Sequence, residues 1–200
     1  MVKIKLNLRK VANIIACLAV LTANNILAQD SQENVTFKGV PLIGTISSFA
    51  QELEKQGCTI KETKGNVVIL KGEFVSRECE IYVFGSKKTN TVWKVVAYLP
   101  EAKSWYSLKS EYLKLKTQFQ QKYGKGKSYE FFSNPYYEGD GYEIQALRKE
   151  KCTYTTFFDT ERGPIAVEIS KYEQIKIAYE DAINTQIQKK EKEDIINNEI

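Results

Sequence analysis

Apolar positions along this chain change their period from segment to segment, and the period predicts the elements. In residues 45–56 the apolar residues Ile46, Phe49, Ala50 and Leu53 recur at i, i+3, i+4 and i+7, which gathers them on one side of a helix. Thr45 is placed to cap its start, and Gly57 supplies the left-handed residue that ends it. Residues 104–123 repeat the design, with Trp105, Leu108, Tyr112, Leu115 and Phe119 as the stripe, Ser104 as the cap and Gly124 as the stop. Lysines and glutamines fill the other side, so both stripes read as core.

After each helix the period shortens toward two. Strand-like runs rich in β-branched and aromatic residues follow the first helix at 58–64, 66–71, 78–84 and 91–98, and the second at 127–133, 142–148, 152–158, 164–170 and 174–179. Alternation is cleanest in the last two: Ile165, Val167, Ile169, Ile175, Ile177 and Tyr179 point one way, and Ala166, Glu168, Lys176 and Ala178 the other. One face of the sheet is therefore buried.

The halves read as one unit used twice. Each helix closes on a glycine, at Gly57 and Gly124, and each is followed by a meander in which a cysteine precedes an aromatic: Cys79 and Phe84, then Cys152 and Phe157. The expected fold is α+β, with two helix-plus-antiparallel-meander repeats, residues 35–100 and 101–181, forming one extended sheet with both helices on one face. Residues 29–34 are a polar, flexible lead-in. Residues 182–200 turn polar, with charges of mixed sign crowding 188–194, and are expected as a charged helix that frays or a tail.

The N-terminus adds a compartment. A basic stretch (Lys3, Lys5, Arg9, Lys10) precedes an apolar run at 11–23 and small residues before Gln29, the order of a signal peptide, residues 1–28, cleaved after Ala28. The run is shorter than the roughly 20 residues that span a bilayer, so no transmembrane helix is expected after cleavage. Cutting before Cys17 instead would leave a lipidated chain. Cleavage also removes four basic residues and no acid, which leaves 25 basic against 25 acidic residues. A near-neutral mature chain argues against nucleic acid as a partner. The expected location is periplasmic or secreted.

An oxidising compartment usually pairs cysteines, yet three remain after cleavage, Cys58, Cys79 and Cys152. Turns near Gly65 and Ser76 would put Cys58 and Cys79 on either side of Gly72, two strand spacings or about 9.6 Å apart, beyond disulfide reach. Buried free thiols are the expectation.

Candidate chemistry is sparse. The chain has no histidine, which removes Ser-His and Cys-His pairs and imidazole metal sites. The three cysteines lack a fourth ligand and close spacing for zinc. Gly124, Lys125, Gly126, Lys127 and Ser128 resemble part of a phosphate loop, but they run from helix into strand, and Gln121 stands where its first glycine belongs. Between Asn134 and Glu143, Asn134, Glu138, Asp140 and Glu143 offer oxygen ligands for calcium, while Asp140-Gly141 is a hairpin turn signal that gives the structural reading. No catalytic residue, metal site or cofactor is therefore expected.

The pattern resembles a group of secreted proteins of Gram-negative anaerobes that share a Phe37 to Pro41 segment before the first helix and a Tyr179 to Asn184 segment after the last strand. In layout alone it is similar to beta-lactamase inhibitor protein and to small outer-membrane assembly lipoproteins of the SmpA type. The inhibitor family staples each repeat with a disulfide, which these cysteines do not reproduce. The resemblance implies no activity. The functional expectation is a noncatalytic binding protein that holds a protein or glycan on its open sheet face or on the loop carrying Tyr136, Tyr137 and Tyr142, since aromatics are favoured contacts. The alternative is an outer-membrane-associated structural or assembly lipoprotein acylated at Cys17.

Overall fold

The computed structural model describes residues 34–199; the expected signal segment, its cleavage point and Cys17 lie outside the described residues. A small hairpin, β1 (Thr36–Phe37) and β2 (Val40–Pro41), leads into α1 (Ile46–Lys55) and four strands: β3 (Thr59–Lys64), β4 (Val67–Phe74), β5 (Arg77–Gly85) and β6 (Val92–Tyr98). Then come α2 (Trp105–Tyr123), β7 (Lys127–Phe132), α3 (Glu143–Arg148), β8 (Cys152–Thr160), β9 (Gly163–Ile169), β10 (Ile175–Glu180) and α4 (Ala182–Glu199). The long strands form one antiparallel sheet in the order β3-β4-β5-β6-β10-β9-β8-β7. The class is α+β.

Local chemistry explains the two main helices. Thr45 and Ser48 form a reciprocal capping box: the Thr45 hydroxyl accepts from the Ser48 amide at 3.2 Å, and the Ser48 hydroxyl accepts from the Thr45 amide at 3.0 Å. The Ser104 hydroxyl accepts from the Ser107 amide at 3.2 Å. Gly57 (φ 86°) and Gly124 (φ 83°) take up the left-handed backbone where the helices stop. Ile46, Phe49, Ala50 and Leu53 of α1 and Leu108, Tyr112, Leu115 and Phe119 of α2 are buried, each large apolar side chain contributing about 1.5–3 kcal/mol.

One expected strand is a helix. Residues 142–148 do not join the sheet; α3 fills most of that stretch and buries Ala146 and Leu147. The run is too short for its spacing to separate the two periods, and Gln145, Ala146, Leu147 and Arg148 all favour a helix. Asp140-Gly141 correspondingly opens no hairpin. The Asp140 carboxylate instead accepts from the amides of Tyr137 (3.0 Å) and Tyr142 (2.7 Å) and shapes the approach to α3. Four strands consequently follow each of α1 and α2.

Strand register carries one face through the sheet. Ile81 pairs with Ala97, Ala97 with Ile177, Ile177 with Val167 and Val167 with Thr156, and the apolar members join the buried residues of α1 and α2 in a single core. The cysteines follow the expected geometry. Gly72 pairs with Cys79 on one side, and on the other an added Cβ at Gly72 would meet the Cys58 sulfur at 2.5 Å. Cys58, Cys79 and Cys152 are free and buried. Burial pushes the Cys79 thiol up to about 11 and the Cys152 thiol up to about 12, and raises that of Cys58 against the opposing charge of Lys38. Protonated and enclosed, these thiols are expected to resist a disulfide reagent at pH 8 in the folded protein and all to react in urea; rapid native labelling would contradict this burial.

The C-terminal segment is a docked helix. Asp181 accepts from the Val35 amide at 3.0 Å and from the Asn184 amide at 2.9 Å, and the Asn184 side chain donates to the carbonyls of Leu42 (2.7 Å) and Val92 (2.8 Å). Among the described residues no helix is long and apolar enough to cross a membrane.

Candidate functional site

Alternation on β4, β5 and β6 turns a second set of apolar residues away from the core. Val67 pairs with Phe84, Ile69 with Tyr82 and Glu80 with Tyr98, so these residues share the open face. They floor a groove of about 860 Å³ that runs from Lys64 and Gly65, at the β3–β4 turn, to Tyr172 and Gln174, at the β9–β10 turn. The Tyr82 ring meets Tyr98 edge-on at 5.5 Å and lies nearly parallel to Phe84 at 6.4 Å.

Glu80 is the one charged residue of the floor. The Tyr82 hydroxyl donates to Glu80 at 3.1 Å, and burial together with that carboxylate raises its pKa. Burial raises the pKa of Tyr98 as well, against the pull of Lys176. Both phenols therefore stay protonated near neutral pH. Toward the middle of the sheet, Lys94 pairs with Glu180 at 2.6 Å and Lys176 with Glu168 at 2.8 Å, beside the buried Val96 and Ala178. Charged pairs thus bound the apolar trough on that side.

The tyrosines Tyr136, Tyr137 and Tyr142 occupy the loop between β7 and α3. Tyr137 and Tyr142 are exposed, whereas Tyr136 is half-buried against the core with the Lys149 ammonium 5.9 Å from its ring centre. None of the three lines the sheet groove. The loop is tied down by its own acids. Glu143 accepts from the Gly139 amide at 2.8 Å, and Glu138 bonds to Lys109 of α2 and to the Tyr154 hydroxyl of β8. The bond from Lys109 holds the Glu138 carboxyl below its usual range. The carboxylates considered for calcium are thus turned onto protein donors. Among the described residues no group of three or more acids and cysteines is placed to hold a metal ion. The Gly124 to Ser128 segment ends α2 and opens β7, the geometry of a helix stop.

The sequence pointed to the open face without naming its residues. The legible signal lay in 78–84, where Ile81 and Val83 alternate with Tyr82 and Phe84: a strand that is apolar on both sides has something to cover on both. Comparison of the chain with protein-family models, with curated proteins and with solved structures gives no match.

Proposed function

We propose that this chain is a noncatalytic binding protein of the periplasm or cell exterior, whose open sheet face takes apolar side chains of a protein partner. The observation that carries the reading is the groove over Val67, Ile69, Tyr82, Phe84 and Tyr98, a contiguous apolar surface rimmed by charges of both signs. A glycan site pairs aromatic platforms with an array of hydrogen-bond donors and acceptors. Here aliphatic Val67 and Ile69 take part of the floor, and the Tyr82 hydroxyl is engaged by Glu80, which favours polypeptide.

The architecture behind this reading is two helix-plus-meander units, both helices on the buried face, joined where the last strand of each unit, β6 and β10, pair at the centre of the sheet. Four strands on each side and mirrored order support that layout.

The test is capture from an envelope extract. Wild type is expected to enrich one protein, and the Tyr82→Ala, Phe84→Ala variant to lose it by tenfold or more, about 1.4 kcal/mol. Circular dichroism checks that the variant is folded. Equal recovery by both proteins, or loss only from Tyr136→Ala, Tyr137→Ala, would move the site off the sheet face. Selective retention on immobilised polysaccharide would replace the protein partner by a glycan.

A further inference from the structure

The two edges of the large sheet are built differently. β3 carries Lys61, Glu62 and Lys64 and a register shift between Ile60 and Glu62 in its pairing with β4, the devices that keep an edge from pairing with another chain. β7 has neither. It pairs with β8 through six consecutive residues without a shift, and among the described residues no strand pairs with its outer side. Its open face carries exposed aromatics: Tyr129 at 40% and Phe131 at 50%, with Phe157 of β8 at 40% beside them, its ring centre 6.1 Å from that of Tyr129.

Backbone polarity at this edge follows from one bond. The Ser133 amide donates to the Lys151 carbonyl at 2.7 Å. Bonding direction alternates along an antiparallel ladder, so Phe131, Tyr129 and Lys127 aim their backbone groups at β8, and Phe132, Glu130 and Ser128 aim theirs at solvent. An added strand must meet Ser128 and Glu130.

We propose that β7 pairs antiparallel with β7 of a second copy of this chain, about a two-fold axis at Tyr129. In that register Ser128 and Glu130 exchange backbone bonds with Glu130 and Ser128 of the other copy, as the free donors and acceptors require. Tyr129 lies opposite itself in the closer, non-hydrogen-bonded type of pair, and Lys127 lies opposite Phe131, a cation beside a ring. On the other face a Ser128 hydroxyl meets a Glu130 carboxylate. Two neighbouring registers keep the faces matched: the one centred on Glu130 sets two carboxylates against each other, which disfavours it, and the one centred on Ser128 pairs only residues 127–129 of the strand and puts Glu130 opposite Gly126, outside it. The strand is thus complementary to itself in one alignment, and that alignment covers the exposed aromatic cluster of both copies. A ladder this short falls below the roughly 1,200 Å² at which specific, stable interfaces begin, so the dimer is a weak one that forms at high protein concentration.

Cysteine scanning under mild oxidation, in the full chain carrying Cys17→Ser, tests the register. Tyr129→Cys is expected to cross-link with itself. Lys127→Cys and Phe131→Cys are expected to cross-link when mixed, and neither alone. Lys61→Cys on β3 is expected to stay monomeric. Sedimentation over a series reaching millimolar protein should show a wild-type mass rising toward the dimer, and Tyr129→Lys, which sets two ammonium groups on the axis, should hold it at the monomer. A wild-type mass that stays monomeric throughout, together with no 129–129 cross-link, would overturn the proposal. So would cross-linking of 129 with 131 in preference to itself.

Discussion

Gly163→Ala is expected to destroy most of the stability of this fold. Gly163 opens β9 with φ 144°, and a Cβ added there would lie 1.9 Å from the carbonyl oxygen of Glu180 and 3.0 Å from the amide nitrogen of Ala182. Neither neighbour is free to retreat. Ala182 donates to the Arg162 carbonyl at 2.9 Å, which clamps the start of α4 against the β8–β9 turn, and the Thr160 hydroxyl accepts from the Gly163 amide at 3.2 Å while donating to its carbonyl at 2.6 Å. The clash is backbone on backbone, so no side-chain rotation relieves it. The loss should reach about 4 kcal/mol or more, against a total of about 5–15 for a domain. Gly139→Ala is the control: its φ is 89° but nothing lies within 4 Å of an added Cβ, so only the backbone penalty of about 1–2 kcal/mol remains. Urea midpoints measure both. Equal losses would show that the β9 start relaxes around the new methyl and that the clamp is soft.

What the sequence revealed, and what it hid, depended on how far each element's contacts reach along the chain. The stripes of α1 and α2 were legible because several apolar residues at helical spacing, bracketed by Thr45 and Gly57 or Ser104 and Gly124, admit only one period. The opposition of Cys58 and Cys79 across Gly72 followed from counting residues from two turns, since a pleated ladder keeps strict register and the Val75-Ser76 turn, with φ 47° and 60°, fixes it. α3 was hidden because Ile144, Ala146 and Leu147 suit either period, and the choice was made by packing against the core. The groove was half-visible: β5 is apolar on both sides, but which of its rings meet Tyr98 and Tyr172 depends on the pairing of strands far apart in the chain. α4 gave the least warning. It has no apolar stripe, and it is held through Asp181, Asn184 and Glu191, whose partners include Val35, Leu42 and Thr89.

That polar attachment makes Glu191→Ala the second substitution with a large expected effect. Glu191 is 7% exposed although it lies in a run of charged residues. One carboxylate oxygen accepts from the amides of Lys88 (2.6 Å) and Thr89 (3.4 Å), and the other from the Thr89 hydroxyl at 2.6 Å. The loop it grips is closed by Ser86, whose hydroxyl lies 2.9 Å from that of Thr89 and accepts from the Thr91 amide at 3.1 Å. Removing the carboxylate takes charge-assisted bonds from this loop and frees the far half of α4, for an expected loss of about 2–3 kcal/mol. Glu191→Gln keeps the shape without the charge and should lose about half as much. The pH dependence fixes the sign. Burial by itself would raise the pKa of Glu191, but the bonds from Thr89, Lys88 and Ser86 outweigh it and hold the carboxyl below its usual range. A carboxyl with a folded pKa below its unfolded value of about 4.3 contributes in full above that value and loses its contribution as pH falls through the folded pKa. The gap in urea midpoint between wild type and Glu191→Ala should therefore be constant above about pH 5 and narrow steadily below about pH 4. Amide exchange along residues 188–199 should quicken in the variant at neutral pH and converge with wild type in acid. A gap that persists undiminished at pH 2 would show that Glu191 acts through its methylenes packing on the loop, and that α4 is held by contacts that do not titrate.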